Sequence, residues 1–218
     1  ETYTVTLLMK AVGCPVGGQT ANRARVGNGI ASGGGYGFGV PQSSDTVAVD
    51  VACPRVNVEK RLITPRSGLI QELGSDATYE VVGRNTGNLP LVTVPLTDTF
   101  NASIFDLIST SIPPSTNSGG KLTWTNLAVG APLAPGQSIA MLMVLRNKAC
   151  PPINQITYAN SAGVTGALAS FRNGTLPVPP SYSSANVDVV CAQVKLTKTL
   201  LSPPDRVVSP NVAGRSTL

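Results

Sequence analysis

The stretch VACPRVNVEKRLITP, from Val51 to Pro65, is written a second time as VVCAQVKLTKTLLSP, from Val189 to Pro203. The two agree in register at Val51/Val189, Cys53/Cys191, Val56/Val194, Lys60/Lys198, Leu62/Leu200 and Pro65/Pro203. A displacement of 138 positions in a chain of 218 residues leaves room for one full copy of a repeating unit and parts of two others. Repetition of this kind constrains the fold before any local pattern does, because every copy must be the same foldable unit.

Composition narrows the class. Apolar residues make up 42% and charged residues 12%, which is too apolar and too weakly charged for a disordered chain. The 22 glycines and 18 prolines, with many Ser, Thr, Val and Asn, disfavour helices and suit an all-β protein rich in turns. The net charge of +5 is scattered and aromatics are only 5%, so there is no basic stripe with stacking rings. No nucleic-acid partner is expected, and the surplus charge reads as a solvated surface. No run approaches the roughly 20 apolar residues of a membrane helix. No charged-then-apolar leader precedes the strand-like start at Glu1, which reads as a mature or trimmed piece of an exported protein.

The residue inventory also excludes chemistries. The chain has no histidine, which removes the commonest general base and metal ligand and every Ser-His or Cys-His nucleophile. Its four cysteines form no Cys-x-x-Cys pair, so the usual metal-cluster spacing is absent. Asp45, Asp50, Asp98, Asp106 and Asp188 are dispersed, without the spacing of a calcium loop. Gly33–Gly39 is glycine-rich but lacks the Gly-Lys-Thr ending and following helix of a phosphate loop, so it reads as a hairpin loop or a contact surface. No catalytic residue, metal or cofactor is expected, and the chain does not read as an enzyme.

The best-defined unit spans 54–191. It opens on an alternating run with Val56, Val58, Lys60 and Leu62 on one face. Further strands are expected at Ala77–Val82, at Leu91–Val94 continuing into Leu96–Phe100, and at Lys121–Thr125. Others fall at Ser138–Leu145, Ile156–Asn160 and Ala185–Val190. Arg84-Asn-Thr-Gly87 between them suits a turn with positive φ. About seven short strands predict a two-sheet antiparallel sandwich. The flanks repeat pieces of it. Glu1–Met9 followed by Cys14-Pro15 resembles Ser138–Leu145 followed by Cys150-Pro151. Gln19–Asn22 echoes Tyr158–Asn160, and Thr46–Val51 echoes Val187–Val190. Residues 1–53 therefore read as the last strands of a preceding sandwich and 192–218 as the first of a following one. Pro54-Arg55 and Ala192-Gln193 are short connectors, which stiffen a string of domains. Val212–Leu218 resembles Ala134–Ile139, so Leu218 followed by Glu1 would read as one segment, and copies are expected to meet head to tail.

Several motifs in this order are similar to one family. They are Val56-x-Val-x-Lys60, Thr78-Tyr-x-Val81 with Arg84-Asn-Thr-Gly87, and Leu96-Thr-Asp-Thr-Phe100. Trp124 with Leu133-Ala-Pro-Gly-Gln-Ser138 and Tyr158-Ala-Asn-Ser-Ala162 complete the series. Together they resemble the tandem "conserved repeat" β-sandwich domains of bacterial and archaeal surface proteins. The resemblance implies an Ig-like or transthyretin-like sandwich used as a spacer in envelope proteins, adhesins or filaments. Phe100-Asn101 departs from the Leu-Pro often found there in the family, and the cysteines are an addition to its pattern.

An even number of cysteines in two similar pairs points to disulfides and an oxidising compartment. If the strands ending at Leu145, Asn160 and Val190 are consecutive in a meander, the first and third finish at the same end. That brings Cys150 to Cys191 and, by repetition, Cys14 to Cys53. The alternative pairs Cys53 with Cys150 and leaves Cys14 and Cys191 to neighbouring units. Lys60 and Lys198 are in phase with inward apolar residues. The plain expectation is a lysine stem snorkelling at the sheet rim. The sharper one is a Lys–Asn isopeptide joining Lys60 to Asn160, with Glu80 or Asp76 as the neighbouring acid and Asn22 as the equivalent asparagine. Asn101-Ala-Ser103 and Asn173-Gly-Thr175 match the N-glycosylation pattern.

These features predict an extracellular structural repeat. Its sandwiches would join head to tail with copies of itself in a filament, stalk or surface layer, stapled by disulfides. The alternative is an adhesin repeat whose loops bind a cell-surface glycan or a host protein.

Overall fold

The computed structural model describes residues 4–15, 18–151, 155–191 and 197–199. Four strands come first: β1 (Gln19–Val26), β2 (Ile30–Gly33), β3 (Tyr36–Gly39) and β4 (Ser43–Asp50). The next are β5 (Val56–Thr64), β6 (Leu69–Ile70), β7 (Asp76–Asn85), β8 (Leu91–Thr93), β9 (Leu96–Thr99) and β10 (Phe105–Thr110). The rest are β11 (Thr116–Ser118), β12 (Lys121–Trp124), β13 (Ser138–Asn147), β14 (Gln155–Val164), β15 (Leu168–Phe171), β16 (Gly174–Pro177) and β17 (Ser181–Val190). The described residues contain no helix, and the chain is all-β.

From β5 onward the strands build an Ig-like sandwich whose strand pairs are antiparallel, except that β6 runs parallel to β17. One sheet has the order β10-β13-β7-β5, and the facing sheet the order β11-β12-β9-β14-β17-β6. A third small sheet, β16-β15-β8, flanks them. Strict alternation drives the packing: β7 buries Ala77, Tyr79 and Val81, and β13 buries Met141, Met143 and Leu145. These meet Leu96, Leu122, Trp124, Val164, Val187 and Val189 of the opposite sheet. Each large apolar side chain sealed in this way contributes about 1.5–3 kcal/mol. Trp124 is a core residue whose indole N–H donates to the Ile112 carbonyl at 2.9 Å.

The strands outnumber the seven expected because several are only two to four residues long and carry no periodic signal of their own. Leu91–Phe100 is not one strand: β8 pairs with β15, whereas β9 pairs with β12 and β14. The meander is also corrected. β13 and β14 lie in different sheets, and the β15–β16 hairpin intervenes before β17 returns to pair with β14.

The first four strands reproduce the last four, pair for pair. In β1/β4, Gln19 faces Asp50 and Ala24 faces Asp45; in β14/β17, Thr157 faces Asp188 and Ala162 faces Ser183. In β2/β3, Ile30 faces Gly39; in β15/β16, Leu168 faces Pro177. Every one of these positions is displaced by the 138 residues that separate Val51 from Val189. The glycine-rich Gly33–Gly39 stretch is the tip and second arm of the β2–β3 hairpin. Gly34 there takes φ 60°, as Arg172 takes φ 51° in the matching turn.

The segment between β4 and β5 is held against the β7–β8 turn. Asn88 donates from Nδ2 to the Val51 carbonyl at 2.8 Å and accepts from the Cys53 N–H at 2.7 Å. The Gly87 N–H donates to the Arg55 carbonyl at 3.1 Å. A Cβ on Gly87 would stand 2.4 Å from the Cys53 carbonyl oxygen and 2.5 Å from the Arg55 nitrogen. Gly87 does not take the positive φ expected of it; glycine is required because two backbones touch there.

Candidate functional site

Two features stand apart from ordinary packing: an uncovered strand pair, and a polar cluster inside the sandwich.

In the sandwich, the inner face of β14/β17 is sealed. Its copy in β1/β4 is open. Val187 is 1% exposed and its counterpart Val49 is 40% exposed; Val164 is 1% and Val26 is 64%. Val5, Leu8, Val12, Ile30, Tyr36 and Val47 are also exposed large apolar residues of the same N-terminal region. The ribbon carries the sequence of a half-buried sheet without the sheet that would cover it. Gln19 donates to Asp50 at 2.8 Å and Arg23 to Ser44 at 2.9 Å on the polar side.

A disulfide closes each strand pair at its open end. Cys14 is bonded to Cys53 with Cα atoms 5.7 Å apart, and Cys150 to Cys191 at 5.6 Å. The alternative pairing of Cys53 with Cys150 does not occur. Cys150 and Cys191 flank the paired ends of β14 and β17, so direct pairing of these strands, rather than a three-strand meander, brings them together.

The polar cluster begins at Lys60. Alternation along β5 sends Val56, Val58 and Lys60 inward, and Lys60 is only 5% exposed. It does not snorkel to the rim: its ammonium pairs with the Oδ2 of Asp98, on β9 of the opposite sheet, and both side chains are fully enclosed. Its Nζ lies 5.1 Å from the centre of the Tyr79 ring, whose buried phenol is pushed to a higher pKa by burial and by the Asp98 charge. Burial is the largest influence on both charged partners. It lowers the Lys60 pKa and raises that of Asp98, while their mutual attraction opposes each shift.

Asn160 lies beside this pair. Asp98 stands directly opposite Ala162 across the β9/β14 ladder, and Asn160 is the next inward residue of β14. Asn160 is 2% exposed, yet among the described residues neither its Oδ1 nor its Nδ2 has a hydrogen-bond partner; Asp98 Oδ1 is also unpartnered among them. A buried polar group left unpaired costs about 1–3 kcal/mol. The amide nitrogens of the other buried asparagines are held: Asn85 donates to the Leu89 and Leu133 carbonyls, and Asn147 to that of Ala149, although Asn147 Oδ1 also lacks a partner among the described residues.

Glu80 is not part of the cluster. Tyr79 and Val81 take the inward positions of β7, so Glu80 faces outward and pairs with Arg61. Asp76 is likewise on the surface, bonded to Arg146 at 2.8 Å. Asp98 takes the acid's place. It could have been found from its phase, because Leu96 and Asp98 are buried alternately along β9. Lys198 is exposed and outside any strand, and Asn22 is half-buried on β1. Asn101 and Asn173 are both exposed; Asn101 sits in the turn before β10, and Asn173 in the β15–β16 turn. Among the described residues no cluster of Cys, Asp and Glu is arranged to hold a metal ion. No described helix is long and apolar enough to cross a membrane.

No family model matches the chain. No curated protein matches it either. Solved structures with a similar β-sandwich include the seventh ScaB type I cohesin from Pseudobacteroides cellulosolvens, at 10% identity and a TM-score of 0.43, covering 66% of this chain and 97% of that one. A non-cellulosomal cohesin from the archaeon Archaeoglobus fulgidus shares 10% identity with a TM-score of 0.41, covering 62% and 91%. A CARDB domain from Pyrococcus furiosus shares 15% identity with a TM-score of 0.38, covering 66% and 97%.

Proposed function

We propose that the chain is a structural repeat of an extracellular filament, stalk or surface layer. In this reading residues 54–191 form one complete sandwich, and 1–53 are the last strands of the sandwich before it. Residues 192–218 fall largely outside the described residues and are assigned to the sandwich that follows. The open face of β1/β4 is completed by strands of another copy of the same unit, supplied by strand exchange between subunits or by a tandem polypeptide.

One observation carries the proposal: β1–β4 keeps the register of β14–β17 at every pair while leaving its apolar face uncovered. In the complete sandwich that face is covered by the β10-β13-β7-β5 sheet. A ribbon with the same inward valines calls for the same kind of cover, and a second copy supplies it. Unpaired edges and open apolar faces are otherwise aggregation sites. The two disulfides favour an oxidising, extracellular setting.

Electron microscopy of the native material, with non-reducing denaturing gels after boiling, tests this. Filaments that fall to a band near 22.4 kDa mean subunits joined by strand exchange. A much larger covalent band means a tandem or crosslinked polymer. A compact, monodisperse monomer without filaments overturns the reading and favours a loop-presenting binding module.

A further inference from the structure

We propose that Lys60 and Asn160 react to form an amide crosslink between Nζ and Cγ inside the sandwich, with Asp98 moving the protons. The bond would form within one sandwich, so it does not depend on assembly between copies.

The placement supports it. Lys60 comes from the first strand of one sheet, Asn160 from the centre of the other, and Asp98 touches Lys60 while sitting diagonally across the ladder from Asn160. Diagonal neighbours on one sheet face lie within reach of side chains of this length. Among the described residues nothing else holds the Asn160 amide, and the second oxygen of Asp98 is free to carry a proton that hydrogen-bonds the developing oxyanion. The site is enclosed, so water does not compete as nucleophile or solvate the lysine. Burial favours the neutral amine and the neutral acid, the forms the reaction needs.

The step balances without a further reagent. The Lys60 ammonium gives a proton to Asp98, and the free amine attacks Asn160 Cγ, forming the Nζ–Cγ bond as the carbonyl electron pair moves to Oδ1. Asp98, now protonated, donates a hydrogen bond to that oxygen, gives its proton to Nδ2 and takes the second proton from Nζ. The carbonyl re-forms, the Cγ–Nδ2 bond breaks, and ammonia leaves, with Asp98 left as the neutral acid. A buried ion pair and an unpartnered amide are replaced by a neutral amide and a neutral carboxylic acid.

Intact-mass measurement and peptide mapping of the purified, folded chain test the proposal. The expected result is a mass lower than the disulfide-bonded sequence by one ammonia, surviving reduction, and a branched peptide joining the Lys60 and Asn160 segments. Lys60→Met, Asn160→Ala and Asp98→Asn should each restore the ammonia. Asp98→Asn keeps the side chain's size, and circular dichroism should show its strands retained. Separate, unlinked Lys60 and Asn160 peptides from the wild-type chain overturn the proposal. So does an ammonia loss that maps instead to succinimide at Asn28 or Asn173, each of which precedes a glycine.

Discussion

Val49 and Val187 occupy the same register position in two copies of one strand pair, facing Thr20 and Tyr158 respectively, yet one is open and the other sealed. On the proposed reading, the difference separates a residue that serves assembly from one that serves folding. Val187→Arg places an unpaired charge in the core and should destabilise the sandwich by about 4 kcal/mol or more. Val49→Arg should leave sandwich stability within about 0.5 kcal/mol of wild type and abolish filaments. Thermal unfolding and electron microscopy on both variants check this.

The disulfides should act on different units. Cys150 and Cys191 close a loop with a sequence separation of 41 across the sandwich. Replacing both by serine should lower sandwich stability by about 4 kcal/mol in the chain-entropy model. Replacing Cys14 and Cys53 should leave the sandwich transition where it is and loosen only the β1–β4 ribbon. Denaturant titration of the two double variants, with limited proteolysis of the ribbon, distinguishes these outcomes.

Gly87 fixes how the chain enters the sandwich. Gly87→Ala drives a methyl group into the backbone of Cys53 and Arg55, neither of which is a flexible side-chain end. A loss of about 1–3 kcal/mol is expected, together with faster protease cleavage between Val51 and Arg55. Asn88→Ala should show the same protease sensitivity, since it removes both side-chain bonds to this linker.

Asp76 and Arg146 face each other across the β7/β13 ladder. Hydrogen bonding from Arg146 holds the Asp76 carboxyl below its usual 3.8. The folded chain therefore releases this proton more readily than the unfolded one. The contribution to stability is present above 3.8 and is lost as pH falls through the folded value. Both groups are at the surface, so the effect is small. Urea unfolding should show Asp76→Asn weaker than wild type at neutral pH, with the two converging as the pH falls below the folded Asp76 value.

Much of this architecture is legible in the sequence because alternation and repetition are local signals. Val56, Val58 and Lys60 show their common face directly. The four cysteines show two equivalent pairs, although the strand path joining them runs through a hairpin that no periodicity marks. β10 is not legible: Phe105 is its one fully buried side chain, and a β-bulge between Leu107 and Ser109 breaks the alternation. The expectation of Glu80 as the acid beside Lys60 fails, because Glu80 stands opposite Arg61 on the outer face. Asp98 reaches Lys60 from the other sheet, and contact between sheets leaves no spacing in the chain.

Strand β5 runs alongside β17 in the same direction, with the Val58 N–H on Ser181 Oγ and the Lys60 N–H on Ser183 Oγ, both at 2.9 Å. The chain enters the sandwich at Val56, beside the start of β17, and leaves at Val190, the far end of that strand. Entry and exit are thus separated by about the length of a ten-residue strand, roughly 30 Å. Tension applied along the polypeptide would pull β5 and β17 past one another lengthwise rather than peel them apart. Sliding loads the lateral contacts between the two strands together instead of one at a time. A string of such sandwiches would carry load as a cable does, along its length.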